Sequence, residues 1–158
     1  MDKLIMFLAT GGYSGMLPKC PGTWGSIAAL VPWFFMRHLP LNSYLLLLGG
    51  VFVVGVAVAG SAEKILDRPD AGPIVIDEFL GVFIALALAP NHPVAWLLGL
   101  ALFRLFDILK PFPVSWFDQR IHGGIGIMMD DVIAGIYALM ALQLIWKLVG
   151  GTVLALMP

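Results

Sequence analysis

The sequence predicts an all-α protein, a polytopic membrane bundle of helices that are partly short and broken. Two observations carry that prediction. Of 158 residues, 60% are hydrophobic and only 12% are charged. A soluble domain holds about 45–50% apolar and about 25% charged residues. The apolar residues also form uncharged runs, and a spanning helix needs about 20 of them in a row. The length suits one domain, residues 1–158. A net charge of −1 argues against binding nucleic acid through bulk charge. Cys20 is the one cysteine, so no intrachain disulfide can form.

Taken in order, the start MDKLIMFLATGG has a short apolar run, Leu4 to Ala9, and no small-residue cleavage site. The N-terminus is therefore expected to stay in the mature chain. A loop, Pro21-Gly22-Thr23, leads to a first short leg from Ser26 to Met36, where Pro32 can kink the backbone. Arg37 to Pro40 turns the chain. Tyr44 to Ala62 is the clearest span, being uncharged throughout. Glu63 to Pro73, EKILDRPDAGP, is a charged loop. Phe79 to Phe103 is uncharged too, but Pro90-Asn91-His92-Pro93 interrupts it. Two prolines around Asn-His make a turn, leaving two legs, about Ile76 to Ala89 and about Val94 to Asp107. Pro111 and Pro113 end the second. The last leg starts at Val132 and runs past Lys147.

Following the chain through these legs puts Thr23, Asp77, Glu78, Asp107, Asp118 and Asp131 on one side. Arg37 and Lys147 are the formal charges on the other. Lys3, Lys19, Lys64, Arg68, Arg104, Lys110 and Arg120 join the acids. The excess of basic residues places that side in the cytoplasm. The expected arrangement is a membrane crossed several times, with the site on its cytoplasmic side.

Segment 103–135, FRLFDILKPFPVSWFDQRIHGGIGIMMDDVIAG, gathers Arg104, Asp107, Lys110, Asp118, Arg120, Asp130 and Asp131 in an otherwise apolar chain. Acids beside bases at a membrane boundary suit a metal ion and an anionic substrate, most naturally a phosphate. Arg104, Asp107 and Lys110 recur every third residue, within an arc of roughly 120° on a helix. They form an ion pair that lets the cations snorkel, or they face one pocket. In the second reading Arg104 and Lys110 take phosphate oxygens, the one as a planar fork and the other as a point charge, and Asp107 is a ligand. Asp77-Glu78 precedes an apolar helix. It is a cap favoured by the helix dipole, or it supplies carboxylates for a hard cation such as Mg²⁺. His122-Gly123-Gly124-Ile125-Gly126 offers a backbone nest for an anion, and Asp130-Asp131 follows at the start of the last leg. His122 by itself reads as structural. Thr23 and Ser26 cap a helix or offer hydroxyls to a phosphate near its N-terminus.

Four blocks then resemble the phosphatidylglycerophosphatase A family: PGTWGS at 21–26, IVIDEFLG at 74–81, FRLFDILKPFP at 103–113 and WFDQRIHGGIGIMMDDVIAG at 116–135. Their order and spacing match over nearly the whole chain. The resemblance implies a Mg²⁺-dependent lipid phosphatase that converts phosphatidylglycerophosphate and water to phosphatidylglycerol and phosphate. Thr23, Asp77, Glu78, Arg104, Asp107, Lys110, Asp118, Asp130 and Asp131 stand at family positions. The expected metal ligands are Asp77, Glu78, Asp107 and Asp131. Arg104, Lys110, Ser26 and Arg120 are expected to bind substrate, and Asp130, Thr23 and Asp118 to take part in catalysis. One departure concerns Arg120: the family often carries Arg directly after the aspartate at 118, where this chain has Gln119. The rival reading is a transporter or channel subunit with the acids as an ion pathway. It predicts ionisable groups throughout membrane depth, whereas here they gather at leg ends.

Overall fold

The computed structural model describes the backbone of residues 1–156, and their side chains apart from those of 117–119 and 152–156. Every regular element among the described residues is helical: α1 (Asp2–Ala9), a 3₁₀ turn (Ser14–Met16), α2 (Pro21–Met36), α3 (Leu41–Leu66), α4 (Ile76–Ala85), α5 (Pro93–Leu109), α6 (Val114–Arg120) and α7 (Gly123–Leu156). Helix α7 is the axis of the bundle, packed by α3, α4, α5 and α6.

Two helices, Leu41–Leu66 and Gly123–Gly151, are long and apolar enough to cross a membrane. They are not the enclosed helices of a soluble core. Leu46 and Val53 on α3, and Met140 and Leu148 on α7, are each between 64% and 79% exposed. Leucine and methionine turned outward over that length suit lipid rather than water. Helix α4, at about 15 Å, is too short to span.

Lipid outside a bundle removes much of the hydrophobic drive between helices, so close packing of small residues holds them together. Gly81 and Gly135 bring α4 and α7 backbone to backbone, since a Cβ on Gly135 would stand 2.7 Å from the Gly81 carbonyl oxygen. A Cβ on Gly124 would strike the Val56 carbonyl of α3. The main core, with Trp33, Phe83, Leu86, Phe103, Ala134 and Leu142, fills the space among α2, α4, α5 and α7. Within it the Tyr44 hydroxyl donates to the Phe83 carbonyl at 2.7 Å.

Several boundaries differ from the sequence reading, each for a local reason. Helix α2 starts at Pro21 rather than Ser26, with proline in the first turn, where its missing N–H is no loss. Helix α4 stops at Ala85 rather than Ala89. Side chains of other helices serve the carbonyls beyond it: Gln143 donates to Leu88 at 2.7 Å and Trp96 Nε1 to Pro90 at 2.9 Å. Helix α5 starts at Pro93, capped by His92 Nδ1, which accepts the Val94 N–H at 3.3 Å. Helices α1 and α6 add to the legs read from the sequence, α1 on the apolar run near the N-terminus and α6 just past the prolines that end α5. Helix α7 starts nine residues before Val132. The glycines expected to form a nest instead lie in its first turn, where Gly124 admits α3 and a Cβ on Gly126 would strike the Ile121 carbonyl. Asp130 and Asp131 therefore sit two turns inside α7.

At the end of the bundle opposite these acids, the Arg37 guanidinium lies over the Phe34 ring at 3.8 Å and the Trp96 ring at 4.6 Å. Trp146 packs on His92 with centroids 5.5 Å apart. Asp131 and Trp146 are separated by about 22 Å of helix. Aromatic and cationic side chains at such a height suit a membrane interface.

Candidate active site

The Gly81–Gly135 contact decides where the acids meet. Asp77 precedes Gly81 by one turn, and Asp131 precedes Gly135 by one turn. Because α4 and α7 touch at the two glycines, their preceding turns are held side by side. Asp77, Glu78 and Asp131 each direct a carboxylate oxygen to a common point, with those oxygens within 4.8 Å of one another. Asp131 is only 3% exposed. Asp77 Oδ1 and Glu78 Oε2 are buried and have no hydrogen-bond partner among the described residues.

Such a group is electrostatically unfavourable by itself. Burial, reinforced by the Glu78 charge, raises the Asp77 carboxyl well above its ordinary range. Burial likewise pushes Glu78 up to about 8, with Asp131 and Asp107 repelling its charge while the hydrogen bond from Asp77 and the Arg104 cation oppose the rise. Both residues lie in the first turn of α4, outside the two membrane-length helices. Buried like charges resist ionising together. A divalent cation relieves both the repulsion and the unpartnered oxygens, and carboxylates are what hard cations take. The donor set fits such an ion.

Helix α5 supplies the positive side. Arg104 Nη1 lies 2.6 Å from Asp107 Oδ2 and 3.7 Å from Glu78 Oε1. It also approaches Ser26 Oγ at 3.4 Å, and that hydroxyl donates to the Gly22 carbonyl at 2.7 Å. Gly22 leaves room here: a Cβ would meet Glu78 Oε1 and stand 3.1 Å from the Arg104 guanidinium, so both side-chain ends would have to shift. Lys110 ends α5 in a left-handed conformation, φ 43°. That turn carries its ammonium across to α7, where Nζ lies 3.0 Å from Asp130 Oδ2. Asp130 Oδ1 accepts the Asp131 N–H at 3.0 Å.

These groups line one cleft of about 370 Å³, which holds Thr23, Asp77, Glu78, Arg104, Asp107, Lys110, Asp130 and Asp131. Of the residues singled out from sequence, these eight come together. Ser26 is fully buried behind Arg104, which it supports from inside α2. Thr23 is exposed at the rim, in the first turn of α2 rather than capping it. Arg120 is exposed at the end of α6 and does not line the cleft. Asp107 lies outside the carboxylate trio and pairs with Arg104. The Asp118 side chain lies outside the described residues. Sequence reasoning missed Gly22 and Asp70, both in the cleft wall. Asp70 was grouped with a solvated charged loop, and only the return of that loop over the cleft reveals it.

Fold and site together define a class: an all-helical protein with membrane-length helices and, at one end, a cleft where buried carboxylates face an arginine and a lysine. Within that class the chain belongs to the phosphatidylglycerophosphatase A family, whose sequence profile matches residues 7–146. It is 42% identical over 130 residues to the phosphatidylglycerophosphatase A of Escherichia coli strain K12, covering 82% of this chain and 76% of that one. It is 43% identical over 136 residues to the phosphatidylglycerophosphatase A of Haemophilus influenzae, covering 85% and 83%. A Bacteroides thetaiotaomicron protein with the provisional name phosphatidylinositol-3-phosphatase is 36% identical over 143 residues, covering 85% and 89%. No solved structure matches. The transporter reading gains no support from these relatives.

Proposed function

We propose that this chain is a membrane phosphatase that hydrolyses phosphatidylglycerophosphate to phosphatidylglycerol and inorganic phosphate, with Mg²⁺ held by Asp77, Glu78 and Asp131. The observation that carries the reading is the convergence of three buried carboxylates, two with unpartnered oxygens, beside the Arg104 guanidinium. A cation bound there supplies Lewis-acid charge and a fixed orientation for the phosphoryl group.

The chain's own residues do the rest. Arg104, held by Asp107, Glu78 and Ser26, presents its fork to the phosphate oxygens. Lys110 turns from Asp130 toward the incoming phosphate. The Asp130 carboxylate, released from that contact, accepts the proton of the attacking water. The glycerol oxygen leaves on the opposite side. Thr23, at the rim, steadies the departing headgroup. The lipid tails stay in the bilayer while the headgroup reaches the cleft, which confines the phosphate for attack. The sequence's charge asymmetry supports a multi-pass arrangement in a bacterial cytoplasmic membrane with this cleft on the cytoplasmic face.

The test is release of inorganic phosphate from short-chain phosphatidylglycerophosphate by purified protein, with Mg²⁺ and with EDTA. Mg²⁺-dependent release supports the assignment. No release under either condition removes it.

A further inference from the structure

The cleft's cations, Arg104 and Lys110, come from α5. The loop between α3 and α4 also lines the cleft, with Asp70, Gly72 and Ile74. A smaller pocket of about 90 Å³ adjoins it, lined by Glu63, Asp70, His122 and Asp130 among others. Asp70 and Asp130 line both spaces. The α3–α4 loop therefore adds one carboxylate, Asp70, to a cleft to which α5 brings Arg104, Asp107 and Lys110.

Asp70 is held there by a specific device. Its backbone is left-handed, φ 43°, a conformation that L-residues other than Asn and Asp rarely adopt. The Glu63 carboxylate fixes it, Oε1 accepting the Asp70 N–H at 2.8 Å. Glu63 is itself anchored, because its carbonyl accepts the Arg68 N–H at 3.2 Å as α3 ends. The last turn of α3 thus clamps the backbone of a loop residue that faces the cleft.

We propose that Asp70 is a specificity residue for the substrate headgroup, accepting a hydrogen bond from a free hydroxyl on the alcohol that carries the scissile phosphate, and that Glu63 is its positioning residue. This rests on the reaction proposed above. Asp70 lies outside the carboxylate trio, and a carboxylate has no donor to offer a phosphate. It suits a neutral donor. An ionised carboxylate is an acceptor only, with about four lone-pair sites, so it can take a hydroxyl in addition to its existing contacts. Phosphatidylglycerophosphate carries one such hydroxyl, on the glycerol carbon between its two phosphates. Phosphatidate, a lipid phosphate of otherwise similar reactivity, carries none there. A site built to bond a hydroxyl discriminates strongly against the analogue that lacks it.

The experiment compares kcat/KM for short-chain phosphatidylglycerophosphate and short-chain phosphatidate at saturating Mg²⁺, using the full chain in detergent. Wild type should prefer the first. Asp70→Ala should reduce that preference about tenfold or more, and Asp70→Asn, which keeps a carbonyl acceptor, should reduce it less. Glu63→Ala should reduce the preference in the same direction, with a KM effect larger than its kcat effect. Equal losses on both substrates would assign Asp70 to cation binding or to folding and overturn the inference. An unchanged ratio overturns it too, as does a wild type without preference. Wild type that releases phosphate from neither lipid would instead remove the proposed reaction itself.

Discussion

Gly135 of α7 lies against the backbone of Gly81 in α4, so near that a Cβ on Gly135 would stand 2.7 Å from the Gly81 carbonyl oxygen. The acids depend on this contact, since Asp131 and Asp77 each lie one turn before these glycines. Gly135→Ala must push α4 from α7, because the obstructing atom belongs to the backbone and cannot rotate aside. Overpacking of this kind destabilises by about 1–3 kcal/mol. The expected result is a lower Tm in detergent and a larger proportional loss of Mg²⁺-dependent phosphate release. Full activity at wild-type Tm would show that the glycine contact does not position the acids.

Asp131→Asn removes one of three crowded carboxylates while keeping its shape. Without cation, the protein should be as stable as wild type or more so, because a repulsion is gone. With cation, it should lose the rise in Tm that Mg²⁺ gives wild type. Thermal scans with EDTA and with a Mg²⁺ series read both signs at once. An intact Mg²⁺ response would place the ion elsewhere.

How much of this was legible beforehand follows from what sequence encodes locally. Uncharged runs and the Pro90–Pro93 break gave the spans and the turn, and the direction of each leg put Thr23, Asp77, Glu78, Arg104, Asp107, Lys110, Asp118 and Asp131 at one end, all of which line the cleft except Asp118, whose side chain lies outside the described residues. Helix starts were less legible. The run at Gly123–Gly126 carries the composition of an anion nest, yet Gly124 within it serves a helix–helix contact with Val56, and nothing local to that run distinguishes the two uses. The division of labour among the acids was also hidden. Asp107 and Glu78 are both acidic neighbours of Arg104, but only the packing of α4 on α7 puts Glu78 in the trio and leaves Asp107 as the partner of the guanidinium.

Glu78 makes stability depend on pH in a definite direction. Its carboxyl titrates at about 8 in the fold against an ordinary value of 4.5. Between those values the folded state binds more protons than the unfolded one, so stability falls as pH rises. In EDTA, Tm should decline between about pH 5 and pH 8. Saturating Mg²⁺ should flatten that decline, because the ion binds the ionised group. The Tm gain from Mg²⁺ is therefore larger at pH 8 than at pH 6, and Glu78→Gln should reduce the difference, with Asp77 supplying what remains. A gain independent of pH would contradict the assignment of Glu78 as a ligand.

Arg104 and Ser26 separate a group that binds phosphate from one that positions it. Arg104 Nη1 is within 4 Å of two carboxylates and within reach of one hydroxyl. Arg104→Lys keeps the charge but loses the planar fork, so the two-pronged hold on a phosphate is gone. A loss of about 10- to 100-fold in kcat/KM is expected, the size of a charge-assisted contact made in the transition state. Ser26→Ala removes the hydroxyl that bridges Gly22 and Arg104 without touching the cleft surface. One such hydrogen bond is worth about 1 kcal/mol, so about a fivefold loss should follow, seen chiefly in KM. The double variant should lose little more than Arg104→Lys alone, because Ser26 acts through the guanidinium and coupled residues are not additive. Losses that multiply would mean that Ser26 contributes by another route.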